Sequence, residues 1–427
     1  MSAIAQARKA GFTVAAVVLA AVLSTVLSAT VVGSSQSAAA RAWVEGWAAA
    51  MTANGRSFSD QTIRMVVHNT APGSAVRVRL SNLTGARPLR IGAVDIAVQA
   101  VGGDAVPGTS QAVTFSGSSA TTIPAQAELT SDPVTMTVAA QENLLISIYL
   151  PDDTGPSSWH YDAHELAYLS GPGNFAAQDT TIGYVATDSS WYYLEGLDVQ
   201  SAAARCTLVA FGDSITNGFA STTSAENRWP DFLALRLEAE PDGTVFGVVD
   251  EGLDSNRVLT DSLPAFGRSA LQRFPHDALS QPGVRDVILL EGINDIGGLR
   301  RPHGTLTAQK LIDGYLTLIN EAHAAGVKIF GATILPYQGA FYYSQRGEAV
   351  RQEVNHWILT SGAFDGVFNF AQALADPADP LRLNPAYNSG DDLHPNDAGY
   401  QAMADAVDLA KLSCWALLLS SPAELSC

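Results

Sequence analysis

The feature that most constrains this chain is an apolar run, 206–211, that stops abruptly at Gly212-Asp213-Ser214. β-Branched and aromatic residues ended by a glycine predict a buried strand followed by a tight turn. Ser214 would then stand at the carboxyl end of a strand, on the first turn of a helix. In an open α/β sheet ligands bind at this edge, and helix N-termini offer N–H donors to developing negative charge. The position suits a nucleophile, although serine and aspartate are also common helix N-caps.

Two later stretches of the chain contain further candidate site residues. Gly292-Ile293-Asn294-Asp295 follows the run 286–290, and Asp391-Asp392-Leu393-His394-Pro395 lies close to the C-terminus. Together the three motifs resemble those of the SGNH (GDSL) hydrolase family of esterases and lipases, over roughly residues 205 to 412. The resemblance implies a flavodoxin-like, three-layer α/β domain with a parallel sheet, and the activity of a serine ester hydrolase.

The motif near the C-terminus supplies a candidate base. A serine hydroxyl is a weak nucleophile until a base accepts its proton, and a histidine held by a carboxylate is the usual arrangement. Because Pro395 disfavours helix in the preceding residue, the loop can fold back and bring Asp391 to the ring of His394. The resemblance implies that Ser214 is the nucleophile, His394 the base and Asp391 its orienting carboxylate. Asp392 occupies the variable position.

Acyl transfer also needs donors for the oxyanion of the tetrahedral intermediate, each worth roughly 2.7–4 kcal/mol in the barrier. The resemblance implies three: the backbone N–H of Ser214, a backbone N–H in a second motif, and the side-chain amide of Asn294. The second motif, 249–257, departs from the family pattern, with Ser255 in place of a glycine and Asp250 in place of an asparagine. We expect Ser255 to be the donor, although serine rarely takes a positive φ.

Composition excludes several other classes. The chain has 427 residues, 47% of them hydrophobic and 15% charged, which is enough for two or three domains. Its net charge of −18 argues against nucleic acid or anionic membrane surfaces as partners. The sequence has no Gly-x-Ser-x-Gly, no His-Glu-x-x-His, no Cys/His cluster at zinc spacing, no phosphate loop and no dinucleotide fingerprint. We therefore expect no metal and no cofactor.

The N-terminus has the layout of a secretory signal peptide over residues 1–40. Arg8 and Lys9 precede an apolar run, about 12–32, and small residues follow it. The run spans roughly 20 residues and could cross a bilayer if it stayed uncleaved, which leaves an N-terminal membrane anchor as the alternative. In either case we expect the rest of the chain to be secreted or extracellular.

An exported chain can form disulfides. It has three cysteines, so one is left over. Cys206 lies within the predicted strand, where a free cysteine behaves as a small hydrophobe. We therefore expect the bridge to join Cys414 and Cys427.

Residues 41–200 carry short alternating runs separated by turn residues, which is typical of an antiparallel, jelly-roll-like β-sandwich. The predicted strands are 62–68, 75–80, 113–115, 134–138, 144–150 and 191–199. Five aromatic residues could form a sugar-stacking surface, or could belong to the core and the domain interface: Trp159, Tyr161, Trp191, Tyr192 and Tyr193.

A featureless segment, 200–204, is interpreted as a linker to the second domain, 205–427. Strands there alternate with helices, which predicts a parallel sheet. The predicted helices are 229–239, 306–325 and 397 to about 417.

The first hypothesis is an exported serine esterase that works through a covalent acyl-enzyme. Between Ser214 and His394 there is no long apolar insertion, and a long acyl chain gains ~0.8 kcal/mol per CH₂ only where apolar walls receive it. We therefore expect short, acetyl-like acyl groups on a small-molecule or polysaccharide ester. The rivals are a carbohydrate-binding protein with a degenerate hydrolase domain, favoured by the altered second motif, and a lipase of the same family.

Overall fold

The structure, a computed structural model, describes residues 42–240, 246–298 and 305–413, and the strand pattern changes after Ser201. The strands up to that point form an all-β region. In chain order they are β1 Ala42–Ala48, β2 Thr52–Gly55, β3 Gln61–Asn69, β4 Ala75–Ser81, β5 Leu89–Ile91, β6 Ala93–Val101, β7 Asp104–Ala105, β8 Gln111–Val113, β9 Thr121–Ile123, β10 Glu128–Thr130, β11 Glu142–Leu150, β12 Ser157–His160, β13 Ala167–Pro172, β14 Tyr184–Asp188, β15 Trp191–Tyr192 and β16 Leu194–Ser201.

Two antiparallel sheets make up most of the all-β region. One has the order β1-β16-β4-β10, and the other has the order β14-β13-β3-β11-β6-β7, with β8 also paired to β6. Alternate residues of both sheets, such as Val76 and Val78 from β4 and Ile63 and Met65 from β3, share one hydrophobic core. The two sheets therefore pack face to face, which confirms the predicted sandwich. Smaller sheets join β15-β12-β2 and β5-β9.

Three strand predictions in this region are wrong in detail. The strand predicted over 113–115 ends at Val113, and Phe115 makes only an isolated bridge with Ser118. The segment predicted as a strand over 134–138 makes only isolated bridges, Val134 with Val76 and Val138 with Gly73. The strand predicted over 191–199 is interrupted at Tyr193, whose φ of 58° takes the chain out of the extended conformation between β15 and β16. Alternation of residue types does not reveal a single residue in the left-handed region.

Burial decides between the two interpretations for most of the aromatic residues. Trp191, Tyr192 and Tyr193 are 3%, 1% and 1% exposed and belong to the core of the sandwich, so they form no sugar-stacking surface. Trp159 is half-buried, and Tyr161 is exposed and packs edge-on against Phe266 of the second region. These two lie where the regions meet.

The α/β region follows. Its elements are β17 Cys206–Gly212, α1 Ser214–Asn217, α2 Trp229–Glu238, β18 Phe246–Gly252, α3 Ala270–Asp277, β19 Val284–Leu290, α4 Ile293–Gly297, α5 Ala308–Ala324, β20 Lys328–Ala332, α6 Gln345–Thr360, β21 Gly366–Phe368, α7 Phe370–Leu374, β22 Ala375–Asp376, β23 Asp379–Leu383 and α8 Asp397–Asp405. Single 3₁₀ turns cover Pro264–Phe266 and Leu409–Lys411.

The α/β region is built on one five-stranded sheet with the order β18-β17-β19-β20-β21, in which every pairing is parallel. This is the 2-1-3-4-5 order of flavodoxin-like folds, as predicted. Helices α2 and α8 pack on each other, α5 packs against α3 and α6, and both groups share one hydrophobic core with the sheet. Gly212 pairs with Gly252 and Leu290, so three strands end at the same level.

Three details of this region differ from the prediction. The helix that begins at Asp397 stops at Asp405 instead of about residue 417, and α6, 16 residues long, was not predicted. The supposed linker is ordered, because the Ser201 hydroxyl accepts hydrogen bonds from the N–H groups of Ala203 and Ala204. Backbone capping of this kind does not depend on hydrophobic periodicity, so the sequence pattern does not reveal it.

Cys206 is disulfide-bonded, so the expectation of a free, buried thiol is wrong. The predicted pair, Cys414 and Cys427, lies outside the described residues, as does the predicted signal peptide, 1–40. Among the described helices, none has the length and apolarity that a bilayer crossing requires.

Candidate active site

Ser214 lies where the leading strand of the sheet ends. β17 stops at Gly212, and the side chain of Asp213 caps the following short helix by accepting a hydrogen bond from the N–H of Ile215 at 3.0 Å. A Cβ at position 212 would come 2.3 Å from the carbonyl oxygen of Leu290, so only glycine allows the strands to close here. The Ser214 side chain is thereby fixed at the carboxyl edge, with 7% of the residue exposed.

His394 and Asp391 complete a chain of hydrogen bonds with this serine. The Ser214 Oγ lies 2.8 Å from His394 Nε2, and His394 Nδ1 lies 2.6 Å from Asp391 Oδ2. The other oxygen of Asp391 accepts the N–H groups of Leu393 and His394 at 2.9 and 2.8 Å. Burial would raise the pKa of Asp391, but hydrogen bonds from the His394 ring and backbone outweigh it and hold that pKa well below its usual range. The carboxylate is thus ionised and able to orient the ring.

The neighbouring carboxylate, Asp392, bonds to Asn388 and not to His394. Asp392 has a φ of 61°, and its side chain accepts a hydrogen bond from Asn388 at 2.8 Å. The Phe219 ring packs against the imidazole, with its centroid 4.3 Å from that of the His394 ring. The structure therefore brings Asp391, and not Asp392, to His394.

Ser255 and Asn294 open onto the same cleft as Ser214. Ser255 has a φ of 57°, the left-handed conformation for which glycine is the usual residue. Ser255 thus adopts a positive φ, although this conformation is rare for serine. The turn after β18 therefore has the backbone conformation that a glycine would allow. Asn294 donates one amide hydrogen to the carbonyl of Asn256 at 2.9 Å, which leaves the second hydrogen of that nitrogen for the cleft.

Asp295 connects the motif of residues 249–257 to the Gly292-Ile293-Asn294-Asp295 motif. Its two oxygens accept the N–H groups of Val258 and Leu259 at 2.8 and 3.1 Å, so the loop after β18 is held against the start of α4. Asp250, which stands where the resemblance expects asparagine, accepts the N–H of Gly252 at 2.8 Å. Burial raises its pKa to about 7, so it need not carry a full charge near neutral pH.

Arg273, on α3, was missed by sequence reasoning and lies beneath the site. Its guanidinium donates to the carbonyls of Gly212 and Glu251 at 2.8 and 2.9 Å and to the side chain of Asn256 at 2.9 Å. It also packs 3.9 Å from the centre of the Phe211 ring. One buried cation thus joins the ends of two strands to the loop that carries Ser255. The segment 270–277 was not predicted as a helix, so nothing marked Arg273 as buried.

His160, at the end of β12, reaches the site from the all-β region. Its ring lies 2.9 Å from the side-chain oxygen of Asn217, on the helix that begins with Ser214, and 2.9 Å from the carbonyl of Ala50. Asn217 in turn donates to Asp254 at 2.9 Å, next to Ser255. The all-β region therefore contacts the helix that begins with Ser214 directly, and the loop that carries Ser255 through Asn217. A contact between residues 57 positions apart leaves no local sequence signal.

Within the described residues, Glu128, Glu195 and His276 have donor atoms close enough to hold a metal ion, all within 4.8 Å of one another. They lie where the all-β region meets α3. His276 is also 2.7 Å from Asp277, and hydrogen bonds to Asp277 and Glu128 raise its pKa to about 11. A protonated imidazole therefore supplies the positive charge between these carboxylates.

A cleft of about 700 Å³ lies over Ser214 and His394. Its walls combine apolar and polar side chains. The apolar ones are Leu259, Leu306, Phe341, Tyr342 and Leu393, and the polar ones include Arg257, Thr260, Thr305 and Lys310. The site is open and mixed in character.

The family resemblance extends beyond the three motifs. The sequence model of the GDSL-like lipase/acylhydrolase family matches residues 210–402, from the strand before Ser214 to the helix after His394. The chain contains a GDSL-family hydrolase domain. This confirms the resemblance carried by the three motifs, and it makes the α/β region a hydrolase domain.

Solved structures similar to this chain have low sequence identity. The aryl esterase of M. smegmatis is 17% identical, with a TM-score of 0.37, over 47% of this chain and 95% of that one. The carbohydrate acetylesterase Est24 from Sinorhizobium meliloti is 16% identical, with a TM-score of 0.36, over 50% and 99%. An acetyl xylan esterase is 18% identical, with a TM-score of 0.37, over 47% and 96%. No curated protein matches the chain.

Proposed function

We propose that this chain is an exported serine esterase that removes short, acetyl-like acyl groups from a small-molecule or carbohydrate ester. The observation that carries the proposal is the unbroken series of hydrogen bonds from Ser214 through His394 to Asp391, open to a cleft that Asn294 also lines. Export rests on the signal-peptide pattern of residues 1–40.

The mechanism follows from these positions. His394 takes the proton of Ser214 as the oxygen attacks the ester carbonyl, and Asp391 stabilises the imidazolium that forms. The N–H groups of Ser214 and Ser255 and the amide of Asn294 would receive the oxyanion. His394 then gives the proton to the leaving alcohol, and water attacks the acyl-enzyme by the same route. No metal or cofactor takes part in these steps.

Short acyl groups fit the character of the cleft. Thr260, Thr305, Arg257 and Lys310 line it beside the apolar side chains, so the described residues do not form the wholly apolar wall that a long chain needs. Burial of each further CH₂ would contribute its ~0.8 kcal/mol only against such a wall. A volume of about 700 Å³ greatly exceeds an acetyl group, and the remainder would hold the alcohol part of the substrate.

A panel of 4-nitrophenyl esters of increasing acyl length tests the proposal, run beside acetylated polysaccharides. We expect kcat/KM to peak between acetyl and butyryl and Ser214→Ala to abolish hydrolysis. A peak at octanoyl or beyond would make the protein a lipase. No turnover by the wild-type protein would favour the rival in which the hydrolase domain is inactive and the sandwich binds carbohydrate.

A further inference from the structure

The active-site cleft contains an arginine side chain that forms no hydrogen bond or ion pair with the described residues. Arg257 lies two residues after Ser255, half-buried, and its side chain lines the cleft together with Ser214 and His394. Its Nε is buried and has no hydrogen-bond partner, and the guanidinium forms no ion pair with any described residue. Leaving a buried donor unsatisfied is destabilising, and more so for a charged group. A bound ligand would remove this destabilisation.

Buried arginines elsewhere in the described residues have the polar partners that Arg257 lacks. Arg64 donates to the Ser147 hydroxyl at 2.9 Å and to the carbonyl of Gly103 at 2.8 Å, and three others form ion pairs. Arg228 pairs with Asp231 at 2.7 Å, Arg351 pairs with Glu348 at 2.6 Å, and Arg273 pairs with Asp277 at 3.1 Å. In a chain with 42 acidic and 24 basic residues, a buried guanidinium would be expected to find a carboxylate. Arg257 forms no such ion pair with a described residue: Asp295 interacts with its charge from a distance, and the guanidinium lines the cleft over Ser214.

The charges around the cleft favour an anion. Lys310 also lines it, exposed, and forms no ion pair with the described residues. Among the described lining residues the one carboxylate is Asp295, and both of its oxygens already accept backbone N–H groups. The two cations Arg257 and Lys310 thus outnumber the single carboxylate in the described lining, on a protein of net charge −18. Such a cleft attracts and orients an anionic ligand.

From this geometry we propose that Arg257 binds a carboxylate of the substrate, so that the preferred ester carries a negative charge close to the scissile bond. The proposal rests on the esterase function above and adds the class of substrate. The planar fork of a guanidinium matches the two oxygens of a carboxylate. The carboxylate can belong to the alcohol part, as in an acetylated uronic acid polymer, or to the acyl part, as in a dicarboxylic monoester.

Paired substrates distinguish these sources. For the alcohol part, acetylated polygalacturonate is compared with acetylated xylan, which is neutral. For the acyl part, 4-nitrophenyl hemisuccinate is compared with 4-nitrophenyl butyrate. We expect kcat/KM to favour the acidic member of at least one pair, and the preference to shrink as salt screens the charge.

Arg257→Gln should lower kcat/KM for the preferred acidic ester roughly 10- to 100-fold, mainly through KM, because a hydrogen bond to a charged group contributes about 1.5–3 kcal/mol. The same substitution should lower kcat/KM for the neutral ester of the pair by much less. Arg257→Lys, which keeps the charge but loses the fork, should fall between the two. The control is Arg285→Gln: Arg285 is exposed at the amino end of β19, away from the site, and its loss should change neither value.

Two results would overturn the proposal: no acidic preference in either pair, or an equal loss on acidic and neutral esters in Arg257→Gln, which would indicate a structural role. Ser214-dependent hydrolysis of 4-nitrophenyl acetate separates this failure from that of the function. If that hydrolysis is present without an Arg257-dependent preference, only the substrate class is wrong. If it is absent, the esterase function fails and the substrate class fails with it.

Discussion

The two regions of this protein contribute to the site in different ways. In the α/β region, three parallel strands end at one level and present Ser214, the Ser255 loop and Asn294 directly from the turns that follow them. The all-β region supplies none of the proposed catalytic groups. It supports them through His160, which contacts the helix of Ser214. Short sequence motifs thus identify the proposed catalytic residues. The residues that support them, such as His160, are identified only from the tertiary packing.

The largest effect is expected inside the α/β region. His394→Ala should lower kcat on the order of 10⁴-fold or more, because the serine loses its base. Asp391→Asn should cause a smaller but still large loss. Asp392→Asn is the matched control, since that carboxylate faces Asn388. Steady-state kinetics on 4-nitrophenyl acetate would measure all three. A greater loss for Asp392→Asn than for Asp391→Asn would contradict the assignment.

The second prediction concerns acid stability in the all-β region. Burial, together with the nearby charge of Arg228, lowers the pKa of His164 to about 3. Its ring packs edge-on at 6.0 Å from Phe219, which contacts His394. The pKa of a histidine in the unfolded chain is ~6.5. Between that pH and a pH of about 3, His164 binds a proton in the unfolded chain but not in the folded one. The stability from His164 is therefore complete above pH ~6.5 and is lost as the pH falls toward 3, by roughly 2–3 kcal/mol at pH 4.

Urea unfolding at a series of pH values would measure this loss. We expect His164→Gln to flatten the decline between pH 6.5 and 4, whereas His356→Gln, at an exposed position on α6, should leave it unchanged. An equally steep decline in His164→Gln would show that other groups control the acid lability.

The third prediction tests support across the two regions. His160→Phe keeps a ring of similar size but removes the contact to Asn217, so the nucleophile helix loses one of its fixed points. We expect kcat to fall about tenfold with little change in KM, since small displacements of reacting groups are costly. Arg90→Gln, which breaks an exposed ion pair in the same region, is the control. Wild-type kcat in His160→Phe would mean that the all-β region does not position the site.

The smallest effect is expected at Ser255. If only its backbone N–H takes part, Ser255→Gly should keep or raise kcat by no more than a few-fold. Stability should change by less than about 1 kcal/mol, because relief of the left-handed φ offsets the added flexibility of glycine. A hundredfold loss of kcat would show that the hydroxyl itself takes part in the reaction.

Much of the fold could be predicted because its signals are local. The run 206–211, the strand-helix alternation after it and the alternation of β4 each follow from the period of a single element. The Ser214, Asn294 and His394 motifs were identified by their resemblance to those of the SGNH family, since each is a short run of adjacent residues. The interruption at Tyr193, the role of Arg273 and the contact of His160 with Asn217 depend on residues distant in the chain. No periodic pattern encodes them.

The error at Cys206 has the same origin. Placing a cysteine in a buried strand was right, since the residue is fully buried, but its bonding depends on which other segment lies beside the strand. The end of α8 at Asp405 is a similar case. Arg236, which belongs to α2 and lies far away in the sequence, donates to the carbonyl of Ala404 in the last turn of α8 and to that of Val407 just beyond it.

The most direct test of the central claim is labelling with a fluorophosphonate probe, which reacts only with an activated serine. We expect the wild-type protein to be labelled at a single site, Ser214, identified by mass spectrometry of the modified peptide. Labelling should be absent in Ser214→Ala and strongly slowed in His394→Ala, with both variants folded by circular dichroism. Labelling at another serine, or none in the folded wild-type protein, would contradict the proposed catalytic site.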